Sequence, residues 1–114
     1  MRNLVSLFSV LAAGTAVAEE WHASDAESLV DALIGAQVRY ENGHRQFFYD
    51  NGTTDYSTGS APSLGNWELR DGDYCSQWPP QEDWDCYKVS FSADGARIRF
   101  LDDYGNEYIG KFLK

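Results

Sequence analysis

Hydrophobic and polar positions change their period once along the chain. Over residues 24–35 the apolar side chains of Leu29, Val30, Leu33 and Ile34 recur at helical spacing, until Gly35. Ser24 stands at the start of this segment, and Glu27 lies three positions after Ser24, which is the pattern of an N-terminal capping box. The sequence therefore predicts one short amphipathic helix over 24–35.

Beyond the helix the apolar positions alternate with polar ones, and short turn sequences separate the alternating runs. No second helical segment lies between these runs, so antiparallel hairpins are favoured over parallel pairing. The sequence predicts a mainly β fold: seven or eight antiparallel strands in a meander that forms a curved sheet or a partly closed small barrel. The predicted apolar faces carry Val38, Tyr40, Phe47, Tyr49, Trp67, Leu69, Tyr74, Trp78, Tyr87, Val89, Phe91, Ile98 and Phe100.

Two segments between the predicted strands indicate different connections. Asn51-Gly52-Thr53 has the form of a glycosylation acceptor, but Asn-Gly is also typical of a type I′ hairpin turn, and we predict the turn. Residues 58–62 contain Gly, Ser and Pro and are expected to form a longer loop.

The first 18 residues have the pattern of a cleavable export signal. A positively charged start precedes an apolar run over 4–13, and Ala16-Val17-Ala18 supplies the small residues of a cleavage site. The apolar run is shorter than the roughly 20 residues that span a bilayer, so a membrane anchor fits less well. We expect residues 1–18 to be removed and one exported domain, 19–114, to remain in the periplasm or outside the cell.

The charge balance bears on the partners of this domain. The chain has 18 Asp and Glu against 9 Lys and Arg, for a formal net charge of -9, and removal of the signal would also remove Arg2. Phosphate binding depends on clustered cations, so nucleic acid and anionic lipid are poor partners. We expect no nucleic-acid binding, no membrane insertion and a monomer.

Cys75 and Cys86 are the two cysteines of the chain and are expected to form a disulfide in an oxidising compartment. Both are opposite in phase to the aromatic residues beside them, so the thiols should face each other outside the apolar face. The same register places Asp73 across from Lys88. A redox role is not favoured, because the C-x-x-C spacing is absent.

The sequence offers little for catalysis. His22 lies in an N-terminal segment expected to be mobile, His44 follows a turn glycine, and neither has an evident partner. Too few His and Cys ligands remain for a zinc site. Three Asp pairs offer acid–base or calcium chemistry, but they flank predicted turns, where Asp commonly bonds to backbone. We expect no enzymatic activity, no cofactor and no metal. The pairs are Asp71/Asp73, Asp83/Asp85 and Asp102/Asp103.

Aromatic residues give the candidate binding site. Trp78 and Trp84 bracket residues 79–83 at a predicted hairpin end beside the disulfide, where a rigid loop can present rings to a partner. With Tyr74, they are the predicted binding residues. The alternative is that both tryptophan rings close the end of the barrel over the core.

Several of these motifs together resemble a family of small exported bacterial proteins of unknown function. The motifs are Gly65-x-Trp67, Asp71-Gly72-x-x-Cys75-x-x-Trp78 and Cys86-Tyr87-x-Val89, and the resemblance spans about residues 25–113. It implies an exported, periplasmic domain of a bacterium and carries no activity with it.

Three functional hypotheses follow. The first is a non-catalytic binding module for an envelope protein or a glycan. The second is a lipocalin-like binder of a small apolar ligand, and the third is an inhibitor of a basic secreted hydrolase, which the acidic charge suits. An open cavity favours the second, whereas a filled core with exposed Trp78 or Trp84 favours the first.

Overall fold

The computed structural model describes residues 19–113, so the predicted export signal lies outside the described residues. A short strand and one helix come first in this range, and eight longer strands follow. The elements are β1 (Trp21–Ala23), α1 (Ala26–Leu33), β2 (Gln37–Tyr40), β3 (Arg45–Phe48), β4 (Thr53–Ser57), β5 (Ser63–Arg70), β6 (Asp73–Gln77), β7 (Trp84–Ser92), β8 (Arg97–Leu101) and β9 (Glu107–Leu113).

Strands β2 to β9 form a closed antiparallel barrel. Each strand pairs with the next along the chain, and β9 returns to pair with β2, where Val38 lies opposite Phe112. The predicted mainly β meander with one helix is confirmed, and the barrel is closed rather than partly closed. Within residues 19–113 no helix has the length and apolar character needed to cross a bilayer.

Strand β1 adds a ninth strand outside the barrel. The first half of β7 pairs with β6, and its free second half pairs with β1, with His22 opposite Phe91. The guanidinium groups of Arg97 and Arg99 lie 5.7 and 5.3 Å from the centre of the Trp21 ring. The expectation that His22 lies in a mobile segment is therefore wrong, because β7 is longer than β6 and offers β1 an edge.

The N-cap of the helix lies one residue later than predicted. Asp25 is the N-cap, and its side chain accepts a hydrogen bond from the Ser28 N–H at 2.8 Å, which lowers the pKa of the carboxyl. Ser24 was the predicted cap, and this prediction is wrong. Its N–H and its hydroxyl both donate to the carbonyl of Val89, at 3.2 and 3.3 Å, and so join the chain to β7 instead.

The side chains of β3 face opposite to the prediction. Phe48 is fully buried, whereas Phe47 and Tyr49 are each 37% exposed on the outer surface, where their rings stack. Gln46 shares the inward face with Phe48 because its Cα is paired with that of inward-facing Val38. The inward phase of the other strands is confirmed by buried Val38, Trp67, Tyr74, Val89, Ile98 and Phe100.

The predicted disulfide is confirmed. Cys75 and Cys86 lie directly opposite each other on β6 and β7, with their Cα atoms 4.0 Å apart. The cross-strand ion pair is also present, with Lys88 Nζ 2.9 Å from Asp73 Oδ1. Agreement of both pairs fixes the register of this hairpin.

The turn geometry differs at one predicted position. A type I′ turn needs positive φ at both central residues, and Asp71 and Gly72, with φ of 53° and 85°, provide this between β5 and β6. Over residues 19–113, Asp71 is the only non-glycine residue with positive φ, so the predicted type I′ geometry at Asn51 is wrong. There the Asn51 Oδ1 accepts from the Thr53 N–H at 3.0 Å, which makes a side-chain-supported turn.

The helix closes one end of the barrel. Leu29 and Leu33 are fully buried and belong to the same core cluster as Phe48 and Trp67. Beside them, the N–H of Gly35 donates to the carbonyl of Phe48. The opposite end carries the loops 41–44, 58–62, 78–83 and 102–106, and no helix within residues 19–113 covers it. We call this end the mouth.

Candidate functional site

The mouth contains an open cavity of about 580 Å³. It lies where β2, β4, β6 and β8 end and the strands that follow them begin, and the rings of Tyr74 and Phe100 form its inner boundary. An eight-stranded barrel has an interior that its own side chains can fill or that can hold one small ligand. The lining residues are Tyr40, Glu41, Asn42, Gln46, Tyr56, Ser63, Tyr74, Ser76, Trp78, Tyr87, Phe100, Glu107, Tyr108 and Ile109.

Two glycines allow the large rings to take their places at the cavity. A Cβ on Gly65 would lie 2.6 Å from the Trp78 ring, so the absence of a side chain on β5 lets this ring lie across the strand. A Cβ on Gly110 would clash with Val38 and come within 3.2 Å of the Tyr40 ring. Both glycines therefore have a packing role, since neither has positive φ.

Six aromatic rings form a continuous chain around the cavity, which we call the aromatic wall. Neighbouring ring centroids in the wall are 5.9 to 6.2 Å apart. In order, the wall consists of Trp78, Tyr56, Tyr40, Phe100, Tyr87 and Tyr108. Tyr74 lies beneath it, with its ring centroid 5.0 Å from that of Phe100. Seven of the 14 lining residues are thus aromatic.

Gln46 organises the polar groups under the wall. Its Oε1 accepts a hydrogen bond from the Tyr40 hydroxyl at 2.5 Å, and its Nε2 donates to the Thr54 Oγ1 at 3.0 Å and to the Tyr74 hydroxyl at 3.3 Å. The glutamine is buried, so satisfying its amide within the protein avoids a large desolvation cost. These bonds hold two phenol rings in fixed orientations.

Burial raises the pKa of three phenols of the cavity. It raises the pKa of Tyr40 and of Tyr74 well above the usual range of tyrosine, and it raises the pKa of Tyr87 to about 12. At neutral pH these rings therefore present uncharged phenol groups and electron-rich faces.

His44 supports the wall from the rim. Its Nδ1 lies 2.9 Å from the Tyr56 hydroxyl, and the two rings meet edge to face with centroids 5.5 Å apart. The expectation that His44 has no partner is therefore wrong. The contact joins residues 12 positions apart, on either side of the β3–β4 hairpin, and it positions the Tyr56 ring at the mouth.

The charged groups around the cavity are acidic. Glu41 and Glu107 are among the lining residues, and the lining contains no Lys or Arg in the described part of the chain. Both carboxylates also contact arginines: Glu107 lies 3.2 Å from Arg99 and Glu41 lies 3.4 Å from Arg97. These exposed ion pairs are weak, but each places an arginine beside one lining carboxylate. The rim is negative through the mouth-loop residues Glu82, Asp83, Asp102 and Asp103, which form no ion pair with Lys or Arg within residues 19–113.

The predicted binding residues separate into two places. Tyr74 and Trp78 line the cavity, and the Trp78 Nε1 donates to the Ser76 Oγ at 3.3 Å. Trp84 does not line it, and the guanidinium of Arg70 lies 4.4 Å from the centre of the Trp84 ring. A binding role for any of them stays a prediction.

Several lining residues were not singled out from the sequence as site residues. Tyr40, Tyr87 and Phe100 have the same inward phase as core residues, so the pattern does not separate rings that fill a core from rings that line a cavity. Gln46 is the one polar side chain buried on the inward face of β3. Because the sequence pattern placed Phe47 and Tyr49 on that face, it predicted that Gln46 faces outward.

Two members of the three Asp pairs have structural partners. Asp73 pairs with Lys88, and Asp102 Oδ1 accepts from the N–H groups of Tyr104 and Asn106, each at 2.9 Å. Over the described range 19–113, no three or more His, Cys, Asp or Glu side chains gather in a way that would hold a metal ion.

Comparisons with family models, curated proteins and solved structures gave no match to this chain. The resemblance to small exported bacterial proteins therefore stays a prediction, and the functional argument rests on the geometry of the mouth.

Proposed function

We propose that this protein binds a small organic molecule in the cavity at the mouth of its barrel. The cavity itself supports the proposal, since it has a volume of about 580 Å³ and opens to solvent. Small-molecule sites in proteins are typically concave, about 300–1,000 Å³ in volume and mostly apolar with a few fixed polar groups. The aromatic wall with Gln46 and Ser76 has this composition, which favours the ligand-binding hypothesis among the three derived from the sequence.

The other two hypotheses receive less support. A protein or glycan site at the 78–84 hairpin end would use Trp78 and Trp84 together, but the first ring is turned into the cavity and the second is covered by Arg70. Inhibition of a basic hydrolase rests on acidic charge alone.

Export of the protein is also part of the proposal. The order of charged, apolar and small residues over 1–18 supports it, and a disulfide between Cys75 and Cys86 suits an oxidising compartment. Fractionation of cells that express the full chain tests this. We expect a mature protein that begins at Glu19, outside the cytoplasm, and retention of residues 1–18 on a cytoplasmic product would contradict it.

Binding in the cavity can be tested with the neutral fluorescent dye N-phenyl-1-naphthylamine, whose emission rises in apolar sites. Ser63 and Leu64 are adjacent exposed residues of β5, and only Ser63 lines the cavity. Ser63→Trp should obstruct the mouth and weaken dye binding at least about tenfold, which corresponds to about 1.4 kcal/mol. Leu64→Trp, on the outer face, is the matched control and should bind as the wild type does. Equal affinity for all three proteins would contradict a site in the cavity.

A further inference from the structure

We propose that the ligand is an organic cation of the quaternary ammonium class, bound with its charged nitrogen against the aromatic wall. This inference rests on the proposed function, because it specifies the chemistry of a ligand in the same cavity. It follows from the rings, from the charges at the mouth and from the hydrogen bonds that are already used.

No ring of the wall carries a cation–π contact with Lys or Arg in the part of the chain that the structure describes. An ammonium group is attracted to the negative face of Trp, Tyr or Phe, and the attraction grows when water is excluded. In the described part of the chain, the protein's own cation–π contacts are on outer-face rings: Arg70 over Trp84, and Arg97 and Arg99 over Trp21. The faces that surround the cavity therefore carry none of the protein's own guanidinium or ammonium groups.

The charges at the mouth favour the same class of ligand. The four mouth loops, residues 41–44, 58–62, 78–83 and 102–106, contain no Lys or Arg. They carry five carboxylates, and Glu107 follows at the start of β9. A negative rim raises the local concentration of cations and repels anions. An anionic ligand would also find no countercharge among the lining residues. The five loop carboxylates are Glu41, Glu82, Asp83, Asp102 and Asp103.

The aromatic rings, rather than the rim carboxylates, recognise the cationic head group. The carboxylates of Glu41 and Glu107 are already in contact with Arg97 and Arg99 of β8. Burial raises the pKa of Tyr87 to about 12, further from physiological pH than the usual value of about 10, so this phenol offers a cation no negative charge. The cavity therefore attracts a cation through aromatic faces and through the field of the rim, without a fixed ion pair.

A sugar fits the same groups less well. Sugar hydroxyls need hydrogen-bonding partners, and the amide at the inner end of the cavity, that of Gln46, already bonds to Tyr40, Thr54 and Tyr74. The polar side chains of Asn42 and Ser63 lie at the outer end, where the mouth loops meet the strands, so they cannot serve a sugar ring held against the inner rings. A trimethylammonium group makes no such demand, because it has no N–H to satisfy. Its size and charge match a site walled by rings.

Two probes of almost equal shape separate charge from size. Butyrylcholine and 3,3-dimethylbutyl butyrate differ in one atom of the head group, since a quaternary carbon replaces the ammonium nitrogen. Each is titrated against the protein–dye complex, with displacement of N-phenyl-1-naphthylamine as the measurement. We expect butyrylcholine to bind at least about tenfold more tightly than the neutral isostere.

Two tryptophan variants test whether the preference for butyrylcholine over its neutral isostere arises at the aromatic wall. Trp78→Leu removes one ring of the wall and should reduce the preference for the cation about threefold or more. Trp84→Leu removes a ring outside the cavity and should leave the affinities of both probes unchanged. Circular dichroism confirms that each variant is folded, and Tyr56→Leu provides a second wall variant if Trp78→Leu does not fold.

The outcomes distinguish this inference from the proposed function. If both probes bind equally and Ser63→Trp weakens both, the protein binds small ligands but the cation inference is wrong. The inference also fails if neither probe displaces the dye from the wild-type protein while Ser63→Trp still weakens binding of the dye. If Glu107→Gln abolishes the preference while Trp78→Leu preserves it, a carboxylate rather than the aromatic wall recognises the cation. If Ser63→Trp has no effect on the dye, the proposed function itself fails.

Discussion

Replacing Gly65 with alanine tests whether the Trp78 ring lies across β5. The new Cβ would be 2.6 Å from Trp78 Cε3 and 2.8 Å from the carbonyl oxygen of Gln77, both closer than van der Waals contact allows. The ring stands at the edge of an open cavity and can move, but the carbonyl belongs to the strand that pairs with β5. The substitution should therefore displace the indole and also strain the β5–β6 pair.

The expected cost is about 2 kcal/mol, within the range of about 1–3 kcal/mol that overpacking a well-packed site produces. Urea denaturation followed by far-ultraviolet circular dichroism measures it without relying on tryptophan emission. The free energy of unfolding should fall while the slope with denaturant stays the same. An unchanged free energy of unfolding would refute the described packing.

A double-mutant cycle separates the ring from the backbone. In a Trp78→Ala background the clash with the indole is gone, so Gly65→Ala should cost less than in the wild type. We expect a coupling free energy of at least about 0.5 kcal/mol, as for residues in direct contact. A residual cost should remain from the Gln77 carbonyl. Strictly additive effects would show that Gly65 and Trp78 do not touch.

Three further predictions follow from the fold and the site. Replacing both Cys75 and Cys86 with serine should lower the free energy of unfolding by about 3 kcal/mol on the loop-entropy relation, and a reductant should then have no further effect on urea denaturation. Gln46→Leu should cost about 1–3 kcal/mol for each buried hydroxyl left without its partner, and a neutral result in the same assay would contradict the amide network. Burial raises the folded-state pKa of Tyr87 to about 12 from about 10 in the unfolded chain, so its contribution to stability is complete below about pH 10 and is lost as the pH rises through 12. Tyr87→Phe should remove a tyrosinate absorbance step near pH 12, and an unaltered titration would contradict this assignment.

The strand pattern could be predicted because each hairpin is a local feature. Alternation from Trp67 to Phe100 gave the inward faces, and the phase of Cys75 and Cys86 gave the register of their hairpin. Barrel closure could not be predicted in this way. It depends on the pairing of Val38 with Phe112, near opposite ends of the chain, and nothing in the local alternation specifies that partner.

Two errors have a common physical cause. Three consecutive aromatic residues, Phe47 to Tyr49, fit either phase of a strand, and only the pairing of Gln46 with Val38 decides which ring is buried. Likewise, β1 forms only because the second half of β7 has a free edge after β6 ends. Both features are decided by a neighbouring strand and not by the segment's own sequence.

The candidate site could be predicted only in part. Tyr74 and Trp78 were identified because they stand beside the disulfide, whereas Trp84 has the opposite phase and points outward. The rest of the wall comes from strands distant in sequence, and its rings line a space rather than fill one because small residues such as Ser63 and Ser76 share the mouth with them. The size of a residual cavity depends on the sum of all side chains, which no single motif encodes.

The two tryptophans that bracket the 79–83 loop provide the most direct test of binding in the cavity. Their indole N–H signals can be followed by nuclear magnetic resonance while butyrylcholine is added. The Trp78 signal, from an indole bonded to Ser76 inside the mouth, should shift and saturate, and the Trp84 signal should stay in place. A saturable shift of Trp84 with an unchanged Trp78 signal, or no shift of either, would contradict an organic cation bound within the barrel.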